Sequence, residues 1–430
     1  MNLANGRHYL AIPGPSVTPD RVLRAMHKPA PNIYGGPLLD TVASIVEDLK
    51  AVARTRHSAT IYISNGHGMW EAALANTVRA GDKVLSLVTG HFGEGWSKVA
   101  QAVGLQVEVL NSDLSSTFDL AKIAEVLSAD KSHEIKALLT THVDTSSSVK
   151  NDLYAVRKIL DDLGHPALLM ADCIASMGCD RFEMDDWGID VALASSQKGL
   201  MVPPGLAFLF FNEKAAEARA KLGTISPYWD WVPRATPQAF YQYFDGTAPT
   251  HHLFGLREAL DMLVLEEGVE NAWARHETLA RAVWAAFDAW SQGGESWMMI
   301  DDLKKRSHAV TAARLDGPNG TALRDYLTEQ LGVTLGIGLG MAPSGTPEWH
   351  SYFRVGHMGH VNAHMVLGTL GAIETGLCAL NIEHTAGGLS AAAAVCAGVQ
   401  DRAAFSASGS AASNAESCCS DPAEARMQRS

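Results

Sequence analysis

Cysteine is scarce in this chain: six residues in 430 (Cys173, Cys179, Cys378, Cys396, Cys418, Cys419), none in a C-x-x-C spacing. That usage indicates neither a zinc site nor a disulfide framework, and it fits a reducing cytoplasm. Positive charge is also short, with 34 Lys and Arg against 47 Asp and Glu, a formal −13. Such a field repels phosphate backbones and anionic lipid surfaces, so neither a nucleic-acid nor a membrane-surface role is expected. No apolar run approaches the roughly 20 residues that span a bilayer. The start, MNLANGRHYLAIPGP, lacks a basic segment followed by an apolar core, so a soluble, unexported protein is expected. No repeat of 20 to 50 residues is present.

What the chain does have is apolar content, 47% against 19% charged, enough for one large or two ordinary domains with their own cores. Short apolar runs alternate with longer amphipathic ones, the pattern of strands crossing over through helices into a mostly parallel sheet. Strands are expected at 59–64 (ATIYIS), 83–88 (KVLSLV), 106–110 (QVEVL), 135–141 (IKALLTT), 167–172 (ALLMAD), 190–195 (DVALAS) and 205–211 (GLAFLFF). Helices are expected at 67–79, 93–103 and 152–163. From Pro227 the texture changes to an aromatic-rich connection, then two amphipathic helices over about 252–291. A second unit follows, with strands near 308–314 and 351–356 and helices near 319–331 and 361–376. The chain therefore divides into an N-terminal arm (1–20), a large α/β domain (21–265), a smaller α+β domain (266–385) and a tail (386–430). The Ala-, Ser- and Gly-rich tail has too few large apolar side chains to offset chain entropy, and is read as disordered.

Ligands of an open α/β sheet sit at the carboxyl ends of its strands. After 59–64 comes Asn65-Gly66-His67-Gly68 and then a helix, an anion site or an ordinary turn. Glu71 stands where a third glycine would complete a dinucleotide fingerprint, which demotes a nicotinamide cofactor. Asp172 ends an apolar strand, where it is either a helix cap or a carboxylate awaiting a cation. Gln197-Lys198 follows another buried strand, placing an amine where it can lose its proton and act as a nucleophile. His142, Asp144 and Thr145 follow 135–141, as turn formers or polar site groups, and Phe92 follows 83–88. Each has a bland reading alone. Together, a lysine, a buried aspartate, an aromatic and an anion site at one sheet edge are what pyridoxal phosphate requires.

These residues match a known family pattern. The chain resembles the class V aminotransferases, specifically the serine-glyoxylate and alanine-glyoxylate group, over about residues 8–380. The resemblance is carried by IPGPS (12–16), NGHGMWEAALAN (65–76), HPALLMADCIASMG (165–178), SSQKGLMVPPGLAF (195–208), LFGLREAL (253–260) and FRVGHMGHVN (353–362). It implies fold type I, a seven-stranded large domain with a smaller C-terminal domain, and a homodimer with its active site at the subunit interface. By the same resemblance Lys198 is the Schiff-base lysine, Asp172 pairs with the pyridinium nitrogen and Phe92 stacks on the ring. Asn65, Gly66, His67 and Gln197 hold the phosphate, joined by Thr247 from the partner subunit. Thr145 lies near the ring hydroxyl, and Arg354 clamps the substrate α-carboxylate. The implied reaction moves the amino group of serine, alanine or a similar small amino acid to glyoxylate or pyruvate by a ping-pong cycle.

Two loops depart from the family pattern. Ile33-Tyr34-Gly35 stands where serine-glyoxylate enzymes usually read His-Arg-Ser. His142-Val143-Asp144-Thr145-Ser146-Ser147-Ser148 stands for His-Asn-Glu-Thr-Ala-Thr-Gly. Both belong to the substrate side, so the amino donor stays open. Tyr228, Trp229, Trp231 and Arg234 are candidates for the donor pocket or for interface packing, and His357 and His360 for structural hydrogen bonds near Arg354. The alternative is a pyridoxal-phosphate lyase resembling cysteine desulfurases. Those place His before the lysine and over the ring, where this chain has Gln197 and Phe92, and Cys378 falls late in a helix.

Overall fold

The computed structural model describes residues 2–398. Its strands are β1 (Tyr9–Ala11), β2 (Ser58–Ser64), β3 (Lys83–Val88), β4 (Gln106–Asn111), β5 (Ile135–Thr141), β6 (Leu168–Asp172), β7 (Val191–Ser195), β8 (Gly205–Phe211), β9 (Val310–Arg314), β10 (Val333–Ile337) and β11 (Tyr352–Gly356). Seven form one sheet in the order β2-β8-β7-β6-β5-β3-β4. Strands β7, β6, β5, β3 and β4 run parallel, while β8 is antiparallel to both β7 and β2. Strands β6 and β7 are buried along their whole length, as the two-faced apolar runs require. All seven agree with the sequence expectation to within a residue or two, the inner strands because burial on both faces leaves no polar alternation to blur the pattern. Helix starts are fixed locally: Asn65, Asp152 and Asn362 cap Gly66–Ala75, Leu153–Asp162 and Ala363–Ala379 by accepting from first-turn N–H groups.

The smaller unit is a four-stranded sheet, β1-β10-β11-β9. Strands β9 and β11 lie where expected, but β1 and β10 were not anticipated. The three residues of β1 are too short to show a period. Strand β10 is only partly buried and follows a helical pattern running from Asn319 through a wide turn to Leu331, which masked it. Parallel pairing of Tyr9–Ala11 with Val333–Leu335 makes the N-terminal arm part of the small sheet and carries Pro13 to Ser16 toward the large one.

Two further expectations are corrected. The division at 265/266 does not separate the cores, because the helix Val269–Trp290, which begins just beyond it, belongs to both. Val269, Ala272 and Trp273 pack with the large-domain core, and Leu279, Val283, Phe287 and Trp290 with the small-domain core. The tail reading fails for its first part. Gly388–Cys396 is a helix, with Ala392 buried in the small-domain core and Gly388 against the Trp290 indole. Alanine, poor in apolar area, is here the best helix former, and close packing of small residues supplies the burial. Residues 399–430, the rest of that expectation, lie outside the described residues. Ala392→Asp is expected to cost about 3 kcal/mol by burying an unpaired carboxylate, read as a lower urea midpoint with unchanged slope.

Candidate active site

The carboxyl ends of β2, β3, β5, β6 and β7 converge on a cavity of about 260 Å³. Asn65, Gly66, His67, Phe92, Thr145, Asp172, Gln197 and Lys198, all singled out from sequence, line it together. So do Gly14 and Pro15 of the arm and Trp70, Val143, Ile174, Ala175 and Pro204.

Asp172 is buried at the tip of β6, with Oδ2 accepting from Trp70 Nε1 (2.8 Å) and Oδ1 from Ile174 N (2.9 Å). Burial pushes its carboxyl up to about 6, although both hydrogen bonds pull the other way. Lys198 stands after β7, the neighbouring strand, and burial together with the Arg354 charge lowers its amine to about 8. Its Nζ donates to Pro13 O, and Ser16 Oγ donates to the Lys198 carbonyl (2.7 Å). Gly14 is favoured where it is by its φ of +96°, and a Cβ there would crowd the Lys198 side chain, 2.5 Å from Nζ. The arm thus seats the lysine.

Asn65 accepts from Gly68 N at the start of Gly66–Ala75, whose first turn opens on the cavity. Helix N-termini of this kind favour anions. His67 packs edge-on against Trp70, and burial lowers its imidazole below the usual value. Gln197 Oε1 accepts from Ser195 Oγ. Arg354, on β11, is 5% exposed. Its Nε donates to Ile337 O (2.6 Å) and its Nη1 to Thr145 O (2.8 Å). Among the described residues Nη2 makes no hydrogen bond, which leaves it available to a ligand. Burial lowers this guanidinium to about 10.

Two expected residues do not line this chain's cavity: Thr247 is exposed in the loop before the helix Thr250–Leu260, and Arg354 stands behind the wall, bonded to the carbonyl of the lining residue Thr145. His142 and the aromatic connection also lie elsewhere. His142 packs on Phe182 and Trp187, where burial holds it near 4. Trp231 stacks on Phe211 at 4.2 Å, and Arg234 is buried between Tyr62 and Tyr228. These side chains pack the edge of the large sheet within the chain, and none of them lines the cavity. His357 Nδ1 donates to His308 O and its Nε2 accepts from Thr311 Oγ1, bonds of a structural kind. Trp70 was missed as a site residue, although it sits in the NGHGMWEAALAN run one helical turn after Gly66.

A lysine and an aspartate at adjacent strand ends, facing a helix N-terminus, define a transferase-type site on an α/β fold. The solved ureidoglycine-glyoxylate aminotransferase of Bacillus subtilis superposes with a TM-score of 0.81 at 26% identity, covering 92% of this chain and 99% of that one. The architecture is fold type I. A family model described as aminotransferase class V matches residues 8–356, and the chain belongs to that family as an enzyme of the transaminase type. The serine-glyoxylate aminotransferase of Arabidopsis thaliana is 34% identical over 86% of this chain and 90% of its own length. The L-aspartate-glyoxylate aminotransferase of Paracoccus denitrificans is 34% identical over 84% and 89%.

The raised carboxyl of Asp172 makes stability pH-dependent. Unfolded, it releases its proton near 3.8, but folded only near 6. Its protonated form is therefore favoured by the fold, and that stability is lost as pH rises through 6. In cofactor-free protein, the stability of wild type relative to Asp172→Asn is expected to fall by about 2 kcal/mol between pH 4 and pH 7. Urea unfolding at several pH values checks it, and a flat difference would contradict the burial account.

Proposed function

We propose that this enzyme uses pyridoxal phosphate to move the amino group of a small amino acid, such as serine, alanine or aspartate, to glyoxylate or pyruvate. The observation that carries the reading is the Lys198 amine and the buried Asp172 carboxylate on adjacent strands of one cavity. The cofactor fits the groups present. A buried carboxylate with no cation bonded to it suits a protonated ring nitrogen, the first turn after Asn65 suits a phosphate, and Phe92 suits a ring face.

When bound, pyridoxal phosphate supplies an electron sink conjugated to the donor's amino group, which acidifies the Cα–H bond. Asp172 would hold the proton on the ring nitrogen, whose positive charge would favour the ionised carboxylate against burial. Asn65, Gly66, His67 and Gln197 bind the phosphate with Thr247 of the partner subunit, in a homodimer whose two sites lie at its interface. The exposure of Thr247 in its own subunit supports that assignment. Thr145 orients the ring hydroxyl. Arg354 takes the α-carboxylate through its unpartnered Nη2 and directs the Cα–H bond at Lys198. Lys198, with an amine near 8, is neutral often enough at physiological pH to take the Cα proton. It returns a proton to the acceptor carbon in the second half of the cycle.

The lyase alternative finds little support, since Cys378 is exposed on the closing helix and does not line the cavity. Among the described residues no helix is long and apolar enough to cross a membrane. A cytoplasmic location is part of the proposal and rests on the cysteine usage.

Loaded with pyridoxal phosphate, wild type is expected to show an absorption band at the visible edge and to be fixed covalently by borohydride, whereas Lys198→Ala is not fixed. Arg354→Lys, which loses the planar fork, is expected to raise the donor KM by about 10- to 100-fold. Failure of loaded wild type to transfer an amino group between any of the named donors and acceptors would overturn the proposal.

A further inference from the structure

The loop after β5 contributes Thr145 to the functional reading, but its neighbour Asp144 is the more heavily engaged residue. Asp144 has no solvent exposure, and its carboxylate accepts four hydrogen bonds. Oδ2 accepts from Phe92 N (2.9 Å) and Gly93 N (3.0 Å), and Oδ1 from Ser146 N (3.0 Å) and Ser146 Oγ (2.6 Å). Ser146 Oγ in turn accepts from His91 N (2.8 Å). Three successive N–H groups at the start of the helix His91–Ala102 are therefore held by a loop from a different strand. The helix has no side-chain cap of its own, because its N-cap is Gly90. Gly90 cannot be larger, since a Cβ there would sit 2.5 Å from the Asp144 carboxyl carbon. One residue further, the Thr145 carbonyl accepts from Arg354. On the same side, a Cβ on Gly340 would lie 2.5 Å from His91 Cβ, so the segment after β10 closes onto this junction.

We propose that Asp144 is the positioning residue of this site: through one short loop it fixes the helix that presents Phe92 and the arginine that takes the substrate carboxylate in a single arrangement. The naming of those two ligands rests on the transaminase reading; the junction itself does not. A carboxylate at a helix N-terminus is stabilising in its own right. If capping were its whole role, its loss would move stability alone.

The charges around Lys198 say otherwise. Its amine faces Asp172 from β6, Asp144 from the loop after β5, Arg354 from β11 and Cys179 from the turn after β6. Arg354 pushes the amine down, while Asp172 and Asp144 push it up. Asp144 likewise supports the guanidinium of Arg354. Removing the Asp144 charge leaves Arg354 less opposed, so the amine falls further. Asp144→Asn also turns an amide N–H toward groups that are themselves donors, loosening Phe92 or Ser146.

The test uses Asp144→Asn and Asp144→Glu, with two readouts. Competitive acetylation of the cofactor-free chain across pH, read by mass spectrometry at Lys198, gives the titration midpoint of its amine. Quenching of tryptophan fluorescence by pyridoxal phosphate gives the cofactor Kd. Asp144→Asn is expected to lower the Lys198 midpoint and to raise the Kd about tenfold, with Asp144→Glu keeping the midpoint near wild type. A folded Asp144→Asn with both values unchanged overturns the proposal. If Asp144→Asn does not fold, Ser146→Ala serves, since it frees the His91 N–H while keeping the charge. It is expected to raise the Kd severalfold and leave the midpoint unmoved, and an unchanged Kd overturns the proposal. A wild type that binds the cofactor but transfers no amino group would sink the transaminase reading and leave both readouts for Asp144 intact.

Discussion

A charge placed out of water must be met by something, and in this protein the charge is Asp172. Its carboxylate lies at the end of the central strand β6, surrounded by apolar strands, with one indole N–H and one backbone N–H as its bonded partners. Two hydrogen bonds do not offset burial, so its carboxyl rises to about 6. The surroundings follow from that constraint. Trp70 is held on the capped helix Gly66–Ala75 to reach one oxygen, and its ring stacks on Trp96. Lys198 sits at the next strand end, the chain's own cation nearest to hand until a ligand cation arrives. A site that is destabilising when empty is suited to binding a cationic ring tightly, since the binding relieves a cost the fold already carries.

The small sheet exists, from the site's point of view, to deliver Arg354. Strand β11 is pinned on both sides, by β10 and by β9, with Arg354 opposite Gly336 and Ala312. Strand β9 is anchored to the large domain just before it begins: Asp180, buried after β6, accepts from Ser307 Oγ and His308 N. Nearby His308 and Lys150 hold that carboxylate down to about 2 against its burial. The turn that follows Asp172 therefore also locates the strand pair that carries the arginine. Against a formal −13 for the whole chain, the proposed function requires an anionic substrate to be captured by such local features, a guanidinium and a helix N-terminus, rather than by long-range attraction.

The large domain was legible because its strands are apolar on both faces and its ligand edge is populated by residue types with few structural uses. A lysine directly after VALAS and an aspartate ending LLMAD stand out from any surface pattern. Three things were not legible. Strand β10 adopts its form only because β11 and the N-terminal arm flank it. The Ala-rich stretch before Cys396 looked too poor in apolar area to fold, yet alanine packs where a neighbouring helix offers Trp290 and an open groove. Asp144 looked like a turn former because its partners, Phe92 and Gly93, are more than 50 residues away in the chain.

The sequence by itself determined the sheet, the order of its strands along the chain and the chemical identity of the groups at its edge. These depend on local periodicity and on residue type, which the chain carries wherever it goes. The tertiary structure alone decided which of those groups share a cavity, that Trp70 holds Asp172, and that the arm reaches back to Lys198. It also decided that one loop ties Phe92 to Arg354. The reason is physical: burial, hydrogen-bond partners and charge proximity belong to pairs of residues distant in sequence, and they come into being only when the sheet edge closes around them.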